Sequence, residues 1–312
     1  MTTLRWLVIA GPTASGKSAL SLDIAERFSG EIVNADSRQI YRYMDIGTAK
    51  PKADEQRRTP HHLFDVATPD ERFDAARYRH LARPAVTAIA ARGRLPIVVG
   101  GTGLYIRALT RGLFAAPPAF ARLRRSLEGL EERRPGTLHR WCRRLDPRVA
   151  ERVHPNDRVR LTRALEVTLT TGERMSEQQQ RHGFAERLGT VLYLVVDPGV
   201  EELKQRIRTR SADLFERGLV EEVRQLRERG YGPELPALRS IGYFEAGHVL
   251  SGERSVAEAT EDVVRATDRF AKRQRTWFRG EADAVWIRPD EGRAHLLEGI
   301  GRFLAEPSRA PL

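Results

Sequence analysis

Gly11-Pro12-Thr13-Ala14-Ser15-Gly16-Lys17-Ser18 decides how the rest of the chain is read. The octapeptide fits G-x-x-x-x-G-K-[ST] in full. It stands between an apolar run at residues 4–10 and a helical pattern from Lys17 to about Phe28, the strand–turn–helix setting that a phosphate-binding loop needs. In such a loop the glycines let backbone N–H groups wrap a phosphate, and the helix N-terminus adds the positive end of its dipole. Lys17 supplies a point charge, and the Ser18 hydroxyl is placed to ligate Mg²⁺. A diphosphate ester satisfies this loop as well as ATP does.

Working outward, Gly30 is expected to end the first helix, and residues 31–35 form a second buried strand. Residues 36–69 read as a polar loop. Asp70 is expected to cap a helix running to about Arg92, kinked or broken at Pro84. Residues 95–99 form a third strand ending in Gly100-Gly101-Thr102-Gly103. Short apolar strands alternating with helices predict a parallel sheet. The rhythm then changes. Residues 113–189 contain no convincing strand, only amphipathic stretches punctuated by Pro117-Pro118, Pro135-Gly136 and His154-Pro155-Asn156. The α/β pattern resumes with a strand at 191–196, a long helix over 200–229, another around 255–279 and a last strand at 284–287. The fold class is therefore α/β: a P-loop NTPase-like parallel sheet flanked by helices. Its core spans residues 1–112 and 190–312, and residues 113–189 form an all-helical insertion.

The 312 residues are 40% hydrophobic with no run long enough to span a bilayer, and the start lacks the basic flank and cleavage site of a signal peptide. Cys142 stands alone, which excludes an internal disulfide and a cysteine-built zinc site. A cytoplasmic monomer is expected. The net charge is +11, and 48 of the 53 cationic residues are Arg, a skew that genome composition can produce. Its distribution says more. Residues 111–190 hold 17 Arg, no Lys and 10 acids, so they carry +7 of the +11 and suit a polyanionic partner.

Asp36-Ser37-Arg38-Gln39 follows the second strand, and Gly100-Gly101-Thr102 ends the third, both at the sheet edge where ligands of open α/β sheets gather. By position alone, Asp36 reads equally as a ligand-orienting carboxylate and as an Asx-turn or helix cap. His61-His62 favours packing or phosphate contact over metal binding, because adjacent residues do not share a face. Arg158, Arg160 and Arg163 spread around a helix, by default a solvated face. The run Lys272-Arg273-Gln274-Arg275-Thr276-Trp277-Phe278-Arg279 suits phosphate contact and base stacking, or anchors its helix through Trp277 and Phe278.

Several segments occur in a fixed order: the P-loop, Asp36-Ser37-Arg38-Gln39-Ile40-Tyr41, Met44-Asp45-Ile46-Gly47-Thr48-Ala49-Lys50-Pro51, Val99-Gly100-Gly101-Thr102-Gly103-Leu104-Tyr105, His154-Pro155-Asn156-Asp157, Arg163-Ala164-Leu165-Glu166 and Lys272-Arg273-Gln274. Together they resemble the bacterial tRNA dimethylallyltransferase (tRNA isopentenyltransferase) family, over about residues 4–280. The resemblance implies transfer of the dimethylallyl group of dimethylallyl diphosphate to N6 of the adenosine 3′ to the anticodon, with Mg²⁺ as cofactor and the tRNA anticodon stem-loop as partner. It implies that Gly11, Pro12, Thr13, Ala14, Ser15, Gly16, Lys17 and Ser18 bind diphosphate, with Ser18 on Mg²⁺. Asp36 matches the candidate general base, Thr102 a threonine near the reaction channel and Arg210 an arginine on the diphosphate. It further implies tRNA contacts at Asp36, Ser37, Arg38 and Gln39, at Val159, Arg160, Leu161, Thr162 and Arg163, and at Arg239, Ser240, Ile241, Gly242, Tyr243 and Phe244. The Arg-rich insertion would grip the anticodon stem. Two departures stand out: Ser18 replaces a common Thr, and residues 114–122 lack an Ala-Asp-Pro found in many relatives. An adenylate isopentenyltransferase, a small-molecule P-loop kinase and a non-catalytic RNA-binding protein are the alternatives.

Overall fold

The computed structural model describes residues 4–289 and 292–306; the outermost residues of the expected core, and 290–291, lie outside that range. The chain forms β1 (Arg5–Ala10), α1 (Lys17–Arg27), β2 (Gly30–Asn34), α2 (Ala53–Arg58), β3 (His61–His62), α3 (Ala75–Ala91), β4 (Leu95–Gly100) and α4 (Gly103–Arg111). Helices α5 (Ala121–Arg133), α6 (Thr137–Leu145), α7 (Pro147–Arg152), α8 (Arg158–Thr171) and α9 (Met175–His182) follow. Then come β5 (Thr190–Val196), α10 (Val200–Glu216), α11 (Leu219–Glu228), α12 (Tyr243–Leu250), α13 (Val256–Arg279), β6 (Ala284–Ile287) and α14 (Arg293–Ala305).

The six strands among the described residues are all parallel, in the order β3-β2-β4-β1-β5-β6. β1 sits between β4 and β5, so the carboxyl ends of β1, β4 and β5 share one rim with that of β2. That rim is where the connections place Gly11, Asp36 and Gly101. Central parallel strands are buried on both faces, which is why β1 from Trp6 to Ala10 and β4 read as unbroken apolar runs. Alternate residues share a face: Leu7, Ile9, Ile32, Ile97, Val99, Leu194 and Val196 pack with Leu20 and Ile24 of α1 and Ile300 of α14.

The structure departs from the sequence expectations in four places. The first helix ends at Phe28, Ser29 takes the positive φ (51°), and Gly30 opens β2. The polar stretch after residue 36 contains α2 and the edge strand β3, where His62 Nε2 meets Glu31 Oε2 at 2.7 Å and His61 Nδ1 meets Thr59 O at 2.7 Å. Asp74, not Asp70, caps α3 by accepting the Ala76 and Arg77 N–H groups, and the helix runs unbroken through Pro84. The long helix after β5 is two, α10 and α11, turned at Gly218 with φ 96°, a conformation that excludes most side chains.

Residues 111–186 form a compact unit of their own, and the described residues on either side form the other. The smaller unit is helical, with Leu127, Leu138, Cys142, Val149, Leu161, Leu165 and Val167 at its centre. Among its buried carboxylates, Glu166 accepts hydrogen bonds from Phe120 N (2.7 Å), Arg124 and Arg163. No helix among the described residues is long and apolar enough to cross a membrane.

Candidate active site

The phosphate loop lines an open cavity of about 310 Å³ bounded by Ala14, Ser15, Gly16, Lys17, Ser18, Arg206 and Arg210. Three of those seven side chains are cationic. Lys17 reaches across its own loop to Pro12 O at 3.2 Å. Removal from water lowers its pKa to about 8; Asp36 opposes that fall, and Arg210 adds to it. Burial also lowers the Arg210 guanidinium, again opposed by Asp36. One carboxylate and two cations therefore act on one another around this loop. The Ser15 hydroxyl is buried with no hydrogen-bond partner among the described residues. An orphaned donor inside a cationic cradle is what a phosphate oxygen would satisfy. Ser18 is exposed at the start of α1. The Thr13 N–H, by contrast, is spent on Gln274 Oε1 (2.9 Å).

Asp36 does form the Asx-turn that position allowed: Oδ1 accepts the Arg38 N–H at 2.8 Å. That leaves Oδ2 unengaged among the described residues, so the turn orients the carboxylate without consuming it. Asn34 Oδ1 accepts the Asp36 N–H at 2.9 Å and fixes the turn from below. Thr102 closes the other side. Its Oγ1 accepts the Ser37 N–H at 2.9 Å, and its N–H donates to Ala35 O at 3.1 Å.

The expected tRNA-contact residues divide by burial. Arg38, Val159, Arg160, Arg239 and Phe244 are exposed. Leu161 and Thr162 lie inside the helical unit, and Ser240, Gly242 and Tyr243 are buried in the main unit, so little of these residues reaches the surface. Ile241 is half-buried. Arg163 is engaged by Glu166 and by Pro117 O (2.8 Å), and Gln39 donates to Thr48 O (3.1 Å) and Ala49 O (3.0 Å). The Tyr243 hydroxyl donates to Glu222, whose carboxylate also accepts the N–H groups of Asp45 (3.0 Å), Ile46 (2.7 Å) and Gly47 (3.2 Å). The segment 44–50 is thus framework for the Asp36 loop.

Sequence reading missed Arg206, which donates to Ser15 O at 3.3 Å. Its four-residue spacing from Arg210 on one helix face was the available signal. The same reading named Gln274 only as part of a basic run, which hid an inward-facing amide.

The family model described as IPP transferase matches residues 39–281, well over half of the chain. The chain belongs to the IPP transferase family. Among the family's named members, the tRNA dimethylallyltransferase of Geobacter metallireducens is 48% identical over 289 residues, covering 91% of this chain and 92% of that protein. One from an Anaeromyxobacter species is 50% identical over 287 residues, covering 91% and 95%. The solved tRNA isopentenylpyrophosphate transferase of Bacillus halodurans superposes with a TM-score of 0.71 at 34% identity, covering 96% of this chain and 97% of that one. A eukaryotic dimethylallyltransferase solved in the act of modifying tRNA gives a TM-score of 0.84 at 27% identity, covering 98% and 81%. The family's fold is the α/β arrangement described above.

Proposed function

We infer that this protein transfers the dimethylallyl group of dimethylallyl diphosphate to N6 of the adenosine 3′ to the anticodon of tRNA, releasing diphosphate. The observation that carries this assignment is the phosphate-loop cavity lined by Lys17, Arg206 and Arg210, with the Asp36 carboxylate acting on Lys17 and Arg210. Cations suit a leaving diphosphate, and a carboxylate suits an amine that must lose a proton.

The exocyclic amine of adenine is a weak nucleophile, because its lone pair is delocalised into the ring. The allylic carbon is a strong electrophile once the charge on its departing diphosphate is neutralised. The bond from the allylic carbon to the diphosphate oxygen breaks, the bond to N6 forms, and the N6 proton passes to the Asp36 carboxylate. Lys17, Arg210 and the loop N–H groups stabilise the leaving charge. Thr102 holds Ser37, and with it Asp36, in place. Ser18 would hold Mg²⁺, which supplies further charge neutralisation on the diphosphate.

For the acceptor, the helical unit is the proposed grip on the anticodon stem. Arg122, Arg125, Arg133, Arg134, Arg143 and Arg144 are exposed on it, with no ion pair among the described residues. Guanidinium groups in that state favour phosphate contact by shape and charge. Arg38, Arg239 and Phe244 supply exposed cationic and aromatic groups on the main unit.

A small-molecule kinase would need ATP in the same loop. Wild-type protein is expected to modify tRNA with dimethylallyl diphosphate and Mg²⁺ alone, and Lys17→Ala to lose the activity. If product forms only when ATP is added, the loop is misassigned.

A further inference from the structure

Gln274 lies inside a basic run of α13, yet only 6% of it is exposed. Its amide spans two loops of the rim. Oε1 accepts the Thr13 N–H of the phosphate loop at 2.9 Å, and Nε2 donates to Gly101 O at 2.8 Å. The approach to residue 101 is so close that a Cβ there would fall 2.2 Å from Nε2. The next residue, Thr102, is bonded to Ala35 O and to the Ser37 N–H, the two neighbours of Asp36. A continuous path therefore joins the phosphate loop to the Asp36 turn, and one side-chain amide is the link between its halves.

The helix that carries this amide is itself held fast. Arg275 Nε pairs with the buried Asp197 carboxylate after β5 at 2.7 Å. Trp277 packs against Gly103, with the Arg107 guanidinium stacked 4.3 Å from its ring centroid, and Arg107 is bonded in turn to Glu281. Lys272 and Arg273 face outward while Gln274 faces in. The amide is thus presented from a fixed element to two loops that leave the paired ends of β1 and β4, and it ties them beyond the last strand pair, Ala10 with Gly100.

We propose that Gln274 is a positioning residue for the transfer reaction: it sets the separation between the diphosphate-binding loop and the Asp36 turn, and so aligns the allylic carbon with the acceptor amine. The inference rests on the function proposed above. Its chemistry is specific. The site needs an acceptor towards Thr13 and a donor towards Gly101 at the reach of a Gln side chain. A carboxylate satisfies the first and sets a lone pair against the Gly101 carbonyl; a protonated carboxyl restores the missing donor.

Gln274→Ala and the isosteric Gln274→Glu test this against wild type. Single-turnover transfer is measured with dimethylallyl diphosphate, Mg²⁺ and tRNA, alongside binding of inorganic diphosphate and of tRNA, and thermal unfolding. Misalignment by about an ångström costs on the order of a hundredfold in rate. Both variants should lose about that much in the chemical step at pH 8, with diphosphate and tRNA affinity nearly unchanged. The ratio of Gln274→Glu to wild-type rate should climb as pH falls towards 6, because the acid form regains its donor, whereas Gln274→Ala should keep a flat ratio. Wild-type rates in both folded variants, a loss matched by weaker diphosphate binding, or a pH-independent ratio for Gln274→Glu would each overturn the proposal. A wild-type protein that transfers nothing to tRNA would instead sink the proposed function.

Discussion

On the proposed mechanism Asp36 serves two ends with its two oxygens, and the distinction can be measured. Oδ1 holds the turn through the Arg38 N–H, a task that an amide oxygen performs equally well. On that mechanism Oδ2 takes the N6 proton. Asp36→Asn should therefore fold and bind tRNA normally, yet lose about a hundredfold or more in single-turnover transfer, since general-base assistance is worth roughly 10²–10⁴. Near-parental single-turnover rates would return Asp36 to a turn-capping role. Lys17 gives a second handle. Its pKa of about 8 lies below the usual 10.5 because it is withdrawn from water. The ammonium is present below pH 8 and lost as pH rises through it, so affinity for diphosphate should weaken above pH 8, by up to about tenfold per pH unit. Calorimetry of inorganic diphosphate binding at pH 8.5, in buffers of different ionisation enthalpy, should show net proton uptake; its absence would mean that Lys17 is already charged or takes no part.

At the scale of elements, the strands were legible because parallel strands buried on both faces must be apolar, and the P-loop because its residues form a contiguous turn. The pieces that escaped are those fixed by contacts distant in sequence. β3 is two residues long and exists by pairing with β2, so His61-His62 carries no strand signal of its own. Leu161 and Tyr243 look available for RNA as sequence, and only tertiary packing buries them. The division of α10 from α11 needed one Gly to be seen as a turn. The Arg163-Ala164-Leu165-Glu166 motif likewise proves to be architecture. Burial alone would raise the Glu166 carboxyl, but hydrogen bonds from Arg124 and Arg163 and the Phe120 N–H overcome it and bring it to about 2. Removing one partner of a buried ion pair costs about 3–5 kcal/mol, and here the lower end applies because both Arg side chains keep some access to water. Glu166→Ala should lower the denaturant midpoint of the helical unit, read from the fluorescence of Trp141, while transfer chemistry on residual folded protein is preserved. Because the folded pKa lies below the ordinary 4.5, this stabilisation is complete above that pH and is lost as pH falls towards 2. An unchanged midpoint would show that Arg124 and Arg163 contribute nothing through Glu166.

For the whole molecule, a cationic phosphate loop at the rim of a parallel sheet and a helical unit rich in exposed Arg pose one question: which acceptor the chemistry serves. A free nucleotide needs the cradle and the carboxylate but has no use for six unpaired guanidinium groups on a separate unit. An anticodon stem has a phosphate backbone for them to meet, and phosphate contacts dominate such binding. The direct test offers both acceptors together. Wild-type protein is incubated with labelled dimethylallyl diphosphate, Mg²⁺, unmodified tRNA and AMP, and the products are separated and digested to nucleosides for mass analysis. N6-dimethylallyl adenosine should appear in the tRNA, at the residue 3′ to the anticodon, with AMP left unlabelled; label on AMP with the tRNA unmodified would contradict the account.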